Sequence, residues 1–253
     1  MDIFYGLIFV TFSDKTPDLN IWMEDTHEGL RDTLGLDGRL VLLGYQKVRY
    51  RTNWKAYIDN DGYHAPLLHS AFRMLNWQGG AGRQYATKLH GHMIFTSSMT
   101  VAPKNTILKD PSVVEFRGSD PTRGSRLATL FPTFVATSHM DVINLRFAIP
   151  LGVDDTEVHY VYFAHQDDDA AMRHHRLRQS SNLLGPCGLV SMEDASVFHR
   201  VHIGNHTPGI VTFQKGVKDL HSVEQEFKQN DESGNLPRWE YYRSIMGFKR
   251  QAV

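Results

Sequence analysis

The stretch LATLFPTFVATSHMDVINLRFAIPLGVDDTEVHYVYFAH, residues Leu127 to His165, alternates apolar and polar side chains through three segments that Pro, Gly or Asp residues separate. Such alternation predicts antiparallel strands with one face on the core and one face in water. The runs Tyr85 to Ser98 and Ser112 to Gly118 have the same character. We therefore expect a β-meander in the middle of the chain.

Helical spacing surrounds these strands. Upstream we expect a first strand over Gly6 to Phe12 and a polar helix over Asp18 to Leu34. A second strand, with a possible bulge at Gly44, is expected over Arg39 to Thr52. Downstream we expect helices after Asp167, around SMEDASVFHRVH, and over Pro237 to Lys249. Strands followed by helices predict the α+β class, with one antiparallel sheet packed against helices.

Composition narrows the functional classes. The 253 residues carry a formal net charge of -1, so no net positive charge attracts the chain to nucleic acid or to an anionic membrane. No apolar run approaches the roughly 20 residues that span a bilayer. The one cysteine, Cys187, excludes an internal disulfide and fits a reducing cytoplasm. The 14 histidines direct attention to a metal held by imidazoles.

The segment NWKAYIDNDGYHAPLLHSAF, Asn53 to Phe72, carries the strongest candidate ligands. Asp61 and His64 share a helical face, whereas His69 would point about 140° away on a straight helix. Pro66 bends or breaks the helix between the two histidines, so that both imidazoles can converge. A pair of histidines near a kink is, however, more often structural.

Two imidazoles need a further ligand, and non-haem Fe(II) oxygenases use two histidines and one carboxylate. The best candidates lie in GPCGLVSMEDASVFH, where Glu193 and Asp194 begin a predicted helix. The same letters fit a capping box, with Ser191 as the cap and Asp194 favoured by the helix dipole. The residues alone leave both interpretations open.

Other histidines are weaker metal candidates. His90 and His92 lie two apart on a strand and could form a pair, although histidines on a sheet face are the commoner explanation. His199, His202 and His206 are the strongest internal rival, but no carboxylate partner for them is obvious in the sequence.

NWKAYIDNDGYHAPLLH resembles the iron-binding segment of the large (alpha) subunits of Rieske-type aromatic-ring-hydroxylating oxygenases. That segment opens with Asn-Trp-Lys, continues through an acidic-Asn pair and closes with Asp-x-Tyr-His-x4-His. GPCGLVSMEDASVFHRVHIG resembles the later segment that carries the carboxylate ligand, and LPRWEYYRSIM resembles the terminal helix. YGLIFVTF is similar to the strand by which the chain leaves the Rieske domain.

The resemblance implies a helix-grip (START/Bet v-like) fold, in which a curved antiparallel sheet packs on a long C-terminal helix and on iron-bearing helices. It implies one Fe(II) on His64, His69 and Asp194, and hydroxylation of an aromatic or related ring with O2. Asp61 would be the carboxylate that bridges to a neighbouring subunit's Rieske cluster. Asn60 would be a further catalytic residue, although the family's usual insert before Asp61 is shortened here. The candidate pocket residues are Leu68, Phe72, Phe95 and His92.

A Rieske [2Fe–2S] cluster needs two cysteines and two histidines, so it cannot be held by the single cysteine of this chain. We expect the cluster on a missing domain or a partner, with residues 1–15 a remnant of the link and residues 16–253 the iron domain. Expected partners are an aromatic substrate, O2, Rieske or ferredoxin and reductase donors, a homotrimer and a possible small beta subunit. Two alternatives remain: a non-catalytic helix-grip domain that binds hydrophobic ligands, and a zinc hydrolase with the same three ligands.

Overall fold

The computed structural model describes residues 1–35, 37–60, 71, 82–97, 108–209, 216, 226–231 and 233–249. The predicted site residues Asp61, His64, Leu68, His69 and Phe72 lie outside this part of the chain. Within it, no helix combines the length and the hydropathy that crossing a bilayer requires.

An antiparallel sheet of eight strands forms the centre of the described structure, in the order β10-β4-β5-β6-β7-β8-β9-β3. A separate hairpin pairs β1 with β2. The strands are β1 (Asp2–Phe4), β2 (Leu7–Phe9), β3 (Leu40–Tyr50), β4 (Arg83–Ala86), β5 (Met93–Ser97), β6 (Ser125–Leu130), β7 (Phe134–His139), β8 (Val142–Pro150), β9 (Thr156–His165) and β10 (Glu226–Lys228). The predicted α+β class and the antiparallel meander are confirmed.

The helices are short and mostly follow the sequence pattern. They are α1 (Leu19–Met23), α2 (His27–Thr33), α3 (Trp54–Asp59), α4 (Ala170–Gln179), α5 (Ser191–Gly204) and α6 (Leu236–Ile245). The predicted helix over Asp18 to Leu34 is divided at Glu24, which has a positive φ of 50°. The last helix ends at Ile245, before the predicted Lys249.

Several strand predictions merged two elements. Tyr85 to Ser98 forms parts of β4 and β5, because Gly91 adopts a positive φ of 67° in the turn between them. Leu127 to Ser138 forms β6 and β7. Pro132 interrupts that run, since a proline has no N–H to donate to a sheet ladder.

Two further segments differ from the sequence prediction. Ser112 to Gly118 is not a strand: residues Pro111–Val114 form a 3-10 helix, whose start is capped by the side chain of Asp110. The predicted first strand, Gly6 to Phe12, is shortened to β2, which pairs with the unpredicted β1 in a hairpin that turns at Tyr5 and Gly6 with positive φ values of 47° and 80°. The predicted bulge at Gly44 is confirmed by the register shift between β3 and β9.

The sheet packs on both faces, which corrects the expectation of one wet face. Tyr160 and Tyr162 of β9 belong to one hydrophobic cluster, whereas the intervening Val161 packs against another. Neighbouring residues of a strand point to opposite faces, so the two clusters lie on opposite sides of the sheet. Helices α3 and α5 contribute Tyr57 and Phe198 to the first cluster. Residues of α1, α2 and the hairpin pack against the second, including Met23, Leu30, Trp22, Phe4 and Phe9.

Candidate metal centre at the start of helix α5

The first turn of helix α5 meets the end of helix α3. The Nδ2 atom of Asn60, the residue that follows α3, donates a hydrogen bond of 3.3 Å to Oδ1 of Asp194. Asn53 fixes the other end of α3, because its side chain accepts the N–H of Lys55 at 3.1 Å. Burial of Tyr57 and Ile58 then holds α3 against the sheet. The structure thus brings two of the predicted site residues, Asn60 and Asp194, together.

Glu193 makes the second contact of this kind. Its Oε2 atom accepts the backbone N–H of Ala71 at 3.2 Å. Two consecutive acids of α5 therefore bind the chain on both sides of residues 61–70, the segment that contains both candidate histidines. Sequence reasoning had named Glu193 only as an alternative to Asp194.

The capping-box interpretation of SMED is wrong. Helix α5 has Val190 at its N-cap position, and no side chain caps its first turn. Ser191 instead donates its hydroxyl to the carbonyl of Leu184 at 3.0 Å. The half-buried carboxylate of Asp194 contacts Asn60 across the helix interface. A role in capping its own helix therefore does not explain the position of Asp194.

Buried tyrosines lie behind Asp194. The hydroxyl groups of Tyr50 and Tyr160 lie 3.2 Å apart, and both side chains belong to the core between the sheet and helices α3 and α5. Burial raises the pKa of Tyr50, and the neighbouring Tyr160 and the negative charge of Asp194 raise it further. Burial likewise raises the pKa of Tyr160. Both phenols therefore stay protonated and neutral at physiological pH.

A cation approaches the same cluster from strand β8. The guanidinium of Arg146 lies 3.5 Å from the hydroxyl of Tyr57 and 3.2 Å from Oγ1 of Thr137. Its positive charge acts to lower the pKa of Tyr50 and Tyr160, against the larger effect of burial. Sequence reasoning missed Arg146, although an arginine in the middle of an otherwise apolar strand was an available signal.

The two predicted pocket residues that the structure describes are core residues. His92 accepts the backbone N–H of Phe131 at Nδ1 (3.0 Å) and donates from Nε2 to the carbonyl of Trp22 (2.8 Å). Burial lowers its pKa to about 3, so the ring is neutral. Its neighbour His90 contacts Glu24, which agrees with the structural explanation of this pair. Phe95 is fully buried on β5. A contribution of His92 or Phe95 to a substrate pocket stays a prediction.

Iron fits the chemistry of these donors. A non-haem Fe(II) centre takes two imidazoles and one carboxylate. The described part offers Asp194 as a half-buried carboxylate whose orientation an amide fixes, beside the ends of the segment that contains His64 and His69. The described residues therefore provide one carboxylate of the kind that such a centre requires.

Comparison with known proteins identifies the family. The family described as ring hydroxylating alpha subunit (catalytic domain) matches residues 36–230. The chain therefore belongs to this family of enzyme catalytic domains, and the predicted recognition and the predicted helix-grip fold class are confirmed.

Curated relatives and solved structures agree with this assignment. The alpha 2 subunit of the terminal oxygenase component of terephthalate 1,2-dioxygenase from Comamonas sp. is 29% identical over 99% of this chain and 64% of its own length. The large subunit of anthranilate 1,2-dioxygenase from Burkholderia cepacia is 26% identical over 98% of this chain and 63% of its own. Naphthalene 1,2-dioxygenase from Rhodococcus sp. superposes with a TM-score of 0.74 at 18% identity, covering 96% of this chain and 65% of that one. The chain thus spans slightly less than two thirds of these proteins.

Proposed function

We propose that this chain is the catalytic domain of an oxygenase component that hydroxylates an aromatic ring with O2, at a mononuclear Fe(II) held by His64, His69 and Asp194. The observation that carries the proposal is the pair of hydrogen bonds from Asn60 to Asp194 and from Ala71 to Glu193. These contacts attach both flanks of the histidine segment to the helix that presents the carboxylate.

Chain connectivity adds support. His69 precedes Ala71 by two residues and His64 follows Asn60 by four. An extended chain covers about 3.5 Å per residue, which limits the Cα separations to about 7 Å and about 14 Å. The length of the chain therefore allows both histidines to reach the first turn of α5.

Each residue has a distinct task in the proposed site. Iron, when bound, would supply the coordination positions at which O2 is activated. Asp194 and the two imidazoles would hold the ion, and Asn60 would fix the orientation of the carboxylate. Asp61 would orient an imidazole by accepting a hydrogen bond from its ring N–H, and would connect it to a neighbouring subunit's Rieske cluster. Tyr50 and Tyr160, neutral and buried, keep bulk water from the rear of Asp194.

The electrons for this reaction would come from outside these 253 residues, because their single cysteine cannot hold a Rieske cluster. We expect a Rieske domain or protein as the immediate donor, itself reduced by a ferredoxin or a reductase. A ring of three chains, with or without a small beta subunit, would bring one chain's iron beside the next chain's cluster.

The proposed substrate is an aromatic ring with an anionic substituent. The curated relatives are named for terephthalate, anthranilate, salicylate, 2-aminobenzenesulfonate and 2-halobenzoate, each a ring with a carboxylate or sulfonate group. Arg146 contacts the tyrosine cluster at the hydroxyl of Tyr57. The negative charge of Asp194 acts on the same cluster, because it raises the pKa of Tyr50. A guanidinium binds carboxylates and sulfonates through parallel N–H donors, so Arg146 is the candidate group for this substituent.

Metal analysis tests the proposal. The chain is stripped with chelator, loaded anaerobically with Fe(II) and desalted, and its iron is counted against protein. We expect the proposed centre to bind one Fe per chain and to form a nitrosyl adduct with the EPR signal of high-spin non-haem iron. His64→Ala should bind about one Fe per chain fewer than wild type and should lose the nitrosyl signal.

A matched variant controls for loss of surface histidine. His174→Ala removes an exposed imidazole from α4 and should retain the iron and the nitrosyl signal. Iron that stays bound in His64→Ala, or a preparation that takes Zn2+ but forms no nitrosyl species, would contradict an Fe(II) oxygenase centre.

A further inference from the structure

The C-terminal end of helix α5 gathers histidines that the proposed iron centre does not use. His202 lies in the last turn, and His206 follows in the turn after the helix ends at Gly204. Their ring centroids lie 4.8 Å apart with an interplanar angle of 87°. His199, which shares this region of sequence, turns away: its Nδ1 contacts the carbonyl of Arg51 at 3.2 Å.

The structure supplies the carboxylate that the sequence did not reveal. Asp154, in the turn between β8 and β9, places Oδ1 2.9 Å from Nε2 of His202 and 3.8 Å from Nε2 of His206. All three ligand atoms lie within 4.8 Å of one another. Two imidazoles and a carboxylate thus converge from parts of the chain that are distant in sequence.

These separations fit a tetrahedral transition-metal ion. Zinc binds histidine nitrogen and carboxylate oxygen at about 2.0 to 2.2 Å, which separates the ligand atoms by about 3.4 Å in a tetrahedron. The observed 2.9 and 3.8 Å lie on either side of that separation. The side chains of Asp154 and His206 are both more than half exposed, which gives them room to rotate toward a common ion.

Hydrogen bonding prepares both imidazoles. The Nδ1–H of His206 donates to the carbonyl of His202 at 2.9 Å, which leaves the Nε2 lone pair of His206 for a metal. A ligating histidine commonly donates its other ring N–H to a backbone carbonyl in this way. Nε2 of the largely buried His202 donates its proton in a hydrogen bond to Asp154. A metal bound at this nitrogen would replace that proton, which would be released to solvent.

Nearby cations do not fill the site. Arg49 is bound by both carboxylate oxygens of Asp155, at 2.9 and 2.8 Å, so that the two charges offset each other next to Asp154. Arg51 lines the same pocket as Asp154, and its positive charge weakens the binding of any ion that is held by charge alone, as Mg2+ and Ca2+ are. Imidazole nitrogen favours Zn2+, Cu2+, Ni2+ and Co2+, whose binding depends less on charge alone.

We infer that Asp154, His202 and His206 form a second metal site, selective for a divalent transition ion such as Zn2+ and separate from the proposed iron centre. Eight residues, or about 12 Å of helix, separate His202 from Asp194 along α5. A metal here would fasten the end of α5 to the β8–β9 turn. Neither His64 nor His69 is a ligand of this second site, so the inference does not depend on the proposed function.

Zinc stoichiometry tests the inference. The chelator-stripped chain is dialysed against Zn2+ and its bound zinc is measured by elemental analysis. We expect His206→Ala and Asp154→Asn each to lose about one Zn2+ per chain relative to wild type, because each removes a ligand of a three-ligand site. His174→Ala should lose none. Both tested side chains are exposed, so their replacement should leave the fold intact.

A second readout separates this site from the iron centre. In an Asp194→Asn background, a 100-fold excess of Zn2+ over its dissociation constant should raise Tm by about 5 °C, and adding His206→Ala should abolish the rise. Equal zinc content and equal Tm shifts with and without His206→Ala would show a hydrogen-bonded contact only and overturn the inference. Failure of the iron proposal would appear instead in the nitrosyl measurement on His64→Ala.

Discussion

Two aspartates at helix–sheet junctions, Asp141 and Asp194, contrast in how the protein uses a carboxylate. Asp141 is fully buried and accepts hydrogen bonds from the backbone N–H groups of Arg117 (2.7 Å), Gly118 (3.1 Å) and Ser119 (2.6 Å). The ring of His175 on α4 lies 3.1 Å from it. Asp194 is half-buried and contacts a side-chain amide at 3.3 Å.

The contacts of the two carboxylates differ in kind. Asp141 fixes a loop to the sheet through main-chain donors. Asp194 lies in the first turn of α5, and its contact with the side-chain amide of Asn60 is longer. We therefore expect Asp141 to contribute mainly to the free energy of unfolding, and Asp194, in the proposed site, to contribute mainly to metal binding.

The largest expected effect is the loss of metal from Asp194→Asn. This change keeps the size of the side chain and a carbonyl oxygen for Asn60, but removes the charge that a divalent ion needs. We expect Fe(II) affinity to fall by at least about 100-fold, beyond the loss seen when only an outer partner of a ligand is removed. The measurement is Fe(II) binding under anaerobic conditions.

Stability serves as the control for that variant. Urea unfolding of metal-free Asp194→Asn should differ from wild type by no more than about 1 kcal/mol, as for most substitutions outside buried networks. A variant that unfolds much more easily while retaining iron would reverse the distinction between the two aspartates.

Asp141→Asn should show the opposite profile. An amide in this position turns N–H donors toward backbone N–H groups and leaves buried groups unsatisfied, so we expect a loss of about 3 to 5 kcal/mol in the free energy of unfolding. Urea denaturation followed by circular dichroism measures it. Asp14→Asn, in an exposed acid, is the matched control and should lie within about 0.5 kcal/mol of wild type. A small effect at Asp141 would show that the loop is held by other contacts.

The affinity for an aromatic acid tests whether Arg146 binds the substrate in the proposed site. Arg146→Met keeps the length of the side chain but removes the cation, so the Kd for a benzoate-type acid should rise by about 10- to 100-fold, as expected when a hydrogen bond to a charged group is lost. Arg146→Lys should retain part of the affinity, because a point charge replaces the bidentate fork. Calorimetric titration measures both. An uncharged ring such as naphthalene should bind all three proteins alike; a parallel loss for naphthalene would assign Arg146 to the shape of the pocket.

The sequence was informative where chemistry imposes a pattern. The strands β8 and β9 followed from alternation, whereas Asp194 as a metal ligand stays a prediction from its place in a motif. The division of Leu127 to Ser138 into two strands was readable from Pro132, but its flanks alternate so regularly that the break was overlooked. Conversely, Ser112 to Gly118 alternates without being a strand, because the Asp110 cap decides its local structure.

Contacts between distant segments could not be read in the same way. The sequence around Asp141 does not predict its contacts with residues 117–119 and His175. Likewise, the sequence around His202 does not predict its contact with Asp154. Each of these pairs is set by strand order and helix placement, which the periodicity of a single segment does not encode. Arg146 is an intermediate case, since its position in a strand is readable but the groups it faces are not.

The pH dependence of stability offers the finest test of the contrast. Burial acts to raise the pKa of Asp141, but hydrogen bonds from the backbone N–H of Arg117, from the side chain and backbone of Ser119 and from the backbone of Gly118 outweigh it and hold the pKa below its usual range. A carboxyl with a depressed folded-state pKa contributes stability above its unfolded pKa, about 3.9, and this contribution is lost as the pH falls toward the folded value. The part of the stability difference between wild type and Asp141→Asn that comes from this carboxylate should therefore shrink below about pH 4. Asp14→Asn should follow wild type throughout. A difference that persists unchanged at pH 3 would mean that Asp141 stabilises the loop through its shape and not through its charge.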